Sequence, residues 1–122
     1  EGEEITVITY GMGVHWALAA KETTGIDLEI LDLRTLAPLD WERIFTASRK
    51  TGKVLVLHED TLFGGIGADI AARISELCFQ ELDAPVRRLG SMDTPVPFSA
   101  ELENQFLASS RLEQTLIELR DY

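Results

Sequence analysis

The chain has 122 residues, 45% of them hydrophobic and 26% charged, and carries a formal net charge of −10. That length supports one domain, residues 1–122, with a core of its own. The acidity argues against nucleic acid or an anionic membrane as partner and favours a basic one, and no apolar run approaches the roughly 18 residues of a membrane-spanning helix.

Nothing at the N-terminus reads as a signal peptide. The chain begins at Glu1 and enters a strand within a few residues, so it reads as a piece of a longer polypeptide. Ile5 to Tyr10 is a β-branched run, the first predicted strand. Gly11-Met12-Gly13 turns it, and Val14, Ala17 and Leu18 start a helix that ends near Thr24 with Gly25 at its C-cap. Leu28 to Leu33 is the second strand, followed by a connection through Pro38. Asp40 caps the next helix, with Leu39 and Ile44 spaced for a hydrophobic staple, and Gly52 closes it.

Lys53 to Gln80 is the centre of the chain. Val54 to Leu57 is continuously apolar, the habit of a strand covered on both faces. Gly64, Gly65 and Gly67 turn the backbone. Ile66, Ile70, Ile74, Leu77 and Cys78 then recur at helical spacing as one apolar face. Cys78 is the single cysteine. No internal disulfide is possible, which fits a reducing compartment, and its place on that face makes it a core residue before a nucleophile or redox thiol. Asp83-Ala84-Pro85 separates this helix from a fourth strand, Val86 to Leu89. Gly90 to Phe98 is a loop with two prolines. Ser99 begins a short helix holding Leu102 and Phe106. Ser110 and Glu113 form a capping box for a last helix that buries Leu112, Leu116 and Leu119.

Strands alternating with helices predict an α/β domain with a parallel sheet. Right-handed crossovers make 2-1-3-4 the most economical strand order. The loops after the first and third strands, Gly11–Gly13 and His58–Gly67, then meet at the topological switch point, where a small-molecule site is expected.

Each candidate group has a plain alternative. Gly11-Met12-Gly13 follows a strand and opens a helix, and Asp32 ends the next strand, as in a dinucleotide-binding unit. The third glycine is missing and Trp16 stands where close packing needs a small residue, so a simple tight turn competes. His58 and Asp60 share one strand face and could act together; the alternatives are helix capping or a contact with a neighbouring domain. With two histidines in the chain, a metal site would need further ligands. Gly64–Gly67 could hold an anion on its amides, but Glu59 and Asp60 oppose it. Arg87 and Arg88 are strand-end charges. Phe63 in the switch-point loop, and Met92, Val96 and Phe98 in the proline-rich loop, are large apolar groups in segments that ought to be solvated, which marks a self-association interface.

Several motifs occur in order. They are Tyr10-Gly11 after a strand, Asp32-Leu33-Arg34-Thr35-Leu36 with Pro38-Leu39-Asp40, and His58-Glu59 with Gly64-Gly65 and Gly67-Ala68-Asp69-Ile70. Asp83-Ala84-Pro85-Val86 and Asp93-Thr94-Pro95-Val96-Pro97 follow. Together they resemble the C-terminal domain of the beta subunit of thiamine-diphosphate-dependent 2-oxo acid dehydrogenases, in the transketolase C-terminal domain family. Asp60 departs from the family's apolar or small residue. His58-Glu59 and Leu77-Cys78-Phe79 look more like the branched-chain (2-oxoisovalerate) type than the pyruvate type.

The resemblance implies a three-layer α/β/α sandwich, with an additional antiparallel strand upstream of the first strand seen here. It implies a parent oxidoreductase that uses thiamine diphosphate and magnesium, held by other domains. No catalytic, cofactor or metal residue is carried over to this chain, and the fragment alone is expected to be inactive and to bind no cofactor. The domain would pair beta subunits and dock on the dihydrolipoyl acyltransferase core, with Asp83 as a docking carboxylate joined by Tyr122. No nucleic acid or membrane partner is expected. The compartment would be the bacterial cytoplasm or the mitochondrial matrix. A free-standing nucleotide-binding α/β domain using Gly11–Gly13 and Asp32 is the alternative from another class.

Overall fold

The computed structural model describes residues 2–33, 39–61, 66–91 and 111–122. β1 (Ile5–Thr9) is a run of apolar and threonine side chains, buried along its whole length. α1 (Met12–Thr24) follows and stops at Gly25, whose φ of 72° is the left-handed conformation that ends helices at little cost to glycine. β2 (Leu28–Asp32) leads to α2 (Trp41–Thr51). Asp40 caps α2, its side chain accepting from Arg43 N at 3.2 Å, and Leu39 and Ile44 join the same core cluster, as a staple requires. β3 (Val54–Thr61), α3 (Ile66–Leu77) and a 3₁₀ turn (Phe79–Glu81) come next. β4 (Arg87–Ser91) and α4 (Leu112–Arg120) complete the described elements.

The four described strands are parallel and lie in the order β2-β1-β3-β4. Successive strand residues face opposite layers. Ile5, Val7, Leu55 and Leu57 pack with Ala17 and Ala20 of α1 and Leu112, Leu116 and Leu119 of α4. Ile8, Val54 and Val56 pack with Ile44 of α2 and Ile70, Ala71 and Ile74 of α3. Three layers result, and the continuous apolar run of β3 is what a strand between two helical layers needs. Full burial of each such aliphatic side chain contributes about 1.5–3 kcal/mol relative to exposure. Thr6 is accommodated between layers because its hydroxyl reaches Ala47 O at 2.9 Å and Thr51 Oγ1 at 2.8 Å. On the outer side of the second layer, Trp41 stacks on Phe45 at 5.6 Å, and the Arg73 guanidinium lies 4.7 Å from the Trp41 ring, tying α2 to α3.

Three details differ from the sequence expectations. Leu77 is 52% exposed rather than part of the buried face. The chain continues from Ile74 to the fully buried Cys78, one turn on, and Leu77 falls to the side of that line at the helix end. β4 starts at Arg87, one residue after Val86. The N-cap of α4 is Arg111, which makes no side-chain cap bond; Ser110 of the expected capping box, and the expected short helix from Ser99 with Leu102 and Phe106, lie outside the described residues. Leu112, Leu116 and Leu119 are buried as the spacing predicts.

Candidate docking groove and the switch-point edge

At the expected small-molecule edge, the carboxyl ends of β1 and β3, the described residues Thr9, Gly13, His58 and Gly67 are buried. Gly11, at φ 58°, lets β1 turn into α1, and Gly13 N and Val14 N donate to Tyr10 O and Gly11 O at 3.1 and 3.2 Å. Gly13 rests on Thr9, whose hydroxyl any Cβ at position 13 would strike. Trp16 is half-buried and packs against the first core cluster, so it fills the close-packing position. His58 is 1% exposed. A Cβ on Gly67 would lie 2.6 Å from its Nε2 and 2.7 Å from its Cδ2, so glycine is what lets the first turn of α3 lie on the imidazole. His15, by contrast, is exposed on α1. Among the described residues no three His, Cys, Asp or Glu side chains come together as a metal site requires. The side chain of Asp60, and Phe63, Met92, Val96 and Phe98, lie outside the described residues.

An open groove lies at the opposite, amino-terminal edge of the sheet. α3 ends at Leu77, and Cys78 N still donates to Ile74 O at 2.8 Å. The chain then tightens into the 3₁₀ turn, with Glu81 N on Cys78 O and Leu82 N on Phe79 O. Asp83 N donates to Gly52 O at 2.7 Å, which ties this turn to the end of α2. Ala84 is buried, and Pro85 stiffens the entry to β4. α4 runs back along the first layer and delivers Tyr122 to the same place. Phe79, Leu82, Asp83, Pro85, Val86 and Tyr122 line an open groove of about 650 Å³.

Phe79 is 74% exposed and Tyr122 72%. Together they leave large apolar surface in the groove that Asp83 also lines. The two residues predicted for docking, Asp83 and Tyr122, thus meet here although they are far apart in the chain. Phe79 was not foreseen as part of it. The available signal was that it follows Cys78, the last residue in register with the buried face of α3, and so points away from that face.

The groove's surroundings are ordinary surface ion pairs. Arg49 lies 3.6 Å from Glu81, and Arg120 pairs with Asp121 at 2.9 Å, which lowers the Asp121 carboxyl from its usual range. Exposed pairs of this kind contribute little to stability. Burial pushes the Cys78 thiol up, so it stays protonated at neutral pH and behaves as a small apolar core group.

A profile of the transketolase C-terminal domain matches residues 1–111. The chain belongs to that family. It is 46% identical over 127 aligned residues to the 2-oxoisovalerate dehydrogenase subunit beta of Bacillus subtilis, covering 100% of this chain and 39% of that relative. It is 39% identical over 112 residues to the pyruvate dehydrogenase E1 component subunit beta of Rickettsia bellii, covering 89% of this chain and 34% of that relative. The chain therefore spans about a third to two fifths of the length of these curated relatives. Among solved structures, a chain described as a split-gene transketolase, inactive beta4 tetramer, superposes with a TM-score of 0.75 at 25% identity, over 99% of this chain and 39% of its own length. The parallel order β2-β1-β3-β4 between two helical layers agrees with the family's α/β fold.

Proposed function

We propose that residues 1–122 form the subunit-pairing and core-docking domain of a thiamine-diphosphate-dependent 2-oxo acid dehydrogenase of the 2-oxoisovalerate type. The observation that carries the docking role is that Asp83 and Tyr122 line one open groove beside Phe79. The parent enzyme decarboxylates its 2-oxo acid oxidatively and passes the acyl group to lipoamide. The groove receives the small basic subunit-binding domain of the dihydrolipoyl acyltransferase. A net charge of −10 steers such a partner and raises its on-rate more than its final affinity. The higher identity to the 2-oxoisovalerate relative favours the branched-chain type over the pyruvate type. The compartment is the bacterial cytoplasm or the mitochondrial matrix.

Among the described residues His58 lies under Gly67 and no three His, Cys, Asp or Glu side chains come together, and this reading assigns thiamine diphosphate and magnesium to other domains of the parent enzyme. No catalytic step is assigned to this domain. Calorimetric titration of the isolated chain with thiamine diphosphate and magnesium is expected to give only heat of dilution, and saturable micromolar binding would reverse this division of roles. Self-association is also part of the reading, through the segments holding Phe63, Met92, Val96 and Phe98. Support comes from the structural neighbour, itself described as a beta4 tetramer. Sedimentation across a concentration series is expected to show a weak dimer, since one domain's contact can fall below roughly 1,000 Å²; a strict monomer at millimolar concentration contradicts it.

The docking role is tested in the full enzyme by Asp83→Ala. Binding to the acyltransferase core should weaken by about 1–3 kcal/mol, while decarboxylation with an artificial electron acceptor stays unchanged. Equal binding of variant and parent at low salt would remove Asp83 from the interface.

A further inference from the structure

The carboxylate of Asp83 lies over the residue that ends α2. Gly52 has φ 73° and closes α2 by donating from its N–H to Ser48 O at 2.9 Å, while its own carbonyl accepts from Asp83 N. A Cβ on Gly52 would stand 2.5 Å from Asp83 Oδ2, 3.0 Å from Asp83 Cγ and 3.1 Å from Glu81 O. The Asp83 side chain thus occupies the space that any other residue at position 52 would claim. Asp83 is exposed, and its carboxylate takes no hydrogen bond among the described residues. Its direction is set by its anchored backbone and by the bare Cα beneath it, and its oxygens remain open to a cationic partner.

We propose that Gly52 is a positioning residue for the docking carboxylate: lacking a side chain, it lets Asp83 lie where it lines the groove, and any Cβ there displaces it. This rests on the docking role of Asp83. Two effects of a substitution at Gly52 are separable. The left-handed backbone strains any residue with a Cβ, least so asparagine, and that effect falls on stability. The collision with Asp83 meets the end of a side chain, which can rotate away, so it falls on the carboxylate's position and hence on binding.

The test is a cycle in the full enzyme with Gly52→Ala, Gly52→Asn, Asp83→Ala and the two doubles. Binding of the purified subunit-binding domain of a dihydrolipoyl acyltransferase is titrated at low salt, with thermal midpoint and artificial-acceptor activity as controls. Both Gly52 variants are expected to weaken binding about threefold to tenfold, and neither to weaken it further once Asp83 is alanine. Gly52→Asn, which tolerates the left-handed backbone better, carries the test if Gly52→Ala does not fold. A purely structural role would give the same loss with and without Asp83, and that outcome overturns the proposal. Loss of binding for Asp83→Ala with no change for either Gly52 variant also overturns it and leaves the docking role standing. No change for Asp83→Ala removes the docking role, and the role of Gly52 with it.

Discussion

At the carboxyl ends of β1 and β3, polar groups are packed away. Thr9 and His58 are 0% and 1% exposed, and Gly13 and Gly67 bring helix backbone down onto them. At the amino end of β4 the reverse holds: Phe79 and Tyr122 are more than two-thirds exposed, and Asp83 stands beside them. Both ends use a glycine against a polar side chain. At Gly67 the partner is a ring locked in the core, so the glycine serves packing. At Gly52 the partner is an exposed carboxylate, so the glycine serves its direction. The general rule places ligands of open α/β sheets at the carboxyl edge; in this chain Thr9, Gly13, His58 and Gly67 are buried there, and the groove that holds Asp83 and Phe79 is at the other edge.

The largest effect should come from forcing the closed edge open. Gly67→Ala sets a methyl group against His58 and Val56, and such overpacking costs about 1–3 kcal/mol. Urea denaturation should show it as a lowered midpoint with unchanged slope. If the variant is as stable as its parent, the packed description of this edge is wrong. On the open edge, Phe79→Ala should leave stability within about 0.5 kcal/mol, since an exposed side chain loses little contact. It should weaken binding of the acyltransferase domain by about 1–2 kcal/mol, as truncating a central aromatic anchor does. A drop in stability without a drop in affinity would show that Phe79 belongs to the fold and not to the groove.

A smaller effect is expected at Thr9, whose buried hydroxyl has no hydrogen-bond partner among the described residues. Thr9→Val removes that unsatisfied group and should raise stability by up to about 1 kcal/mol. A loss instead would mean that the added methyl crowds Gly13. The smallest effect concerns the rim at β2. The Lys50 ammonium, 2.9 Å from Glu29, holds its carboxyl below the usual range. A lowered folded-state value contributes stability above the ordinary carboxylate pKa, and that contribution is lost as pH falls through the folded value. Glu29→Gln should therefore cost about 0.5 kcal/mol near neutral pH. The gap between variant and parent should close on acidification below about pH 4. A gap that persists in acid would mean that packing, not charge, is what Glu29 supplies.

Local chemistry was legible wherever one residue type answers one backbone need. Asp40 satisfies a helix amide, Gly25 and Gly52 supply a left-handed turn, and Val54 to Leu57 can only be comfortable between two apolar layers. Strand order was legible too, because crossover handedness leaves few ways to place four such strands. Asp83 could be predicted as exposed because it precedes Pro85 just beyond a helix end. Leu77 was misplaced because periodicity assigns a face but does not say where the helix stops relative to it.

Other features were decided by packing between elements distant in sequence. The return of α4 along the first layer brings Tyr122 to Asp83, and the clasp from Asp83 N to Gly52 O sets the carboxylate on a bare Cα. α3 lays Gly67 on His58 and buries a titratable residue that had marked this edge as a candidate site. Residue type and spacing determine what each segment asks of its immediate surroundings. Which distant segment answers depends on how whole layers settle against one another, and that is a property of the assembled core rather than of any stretch of the chain.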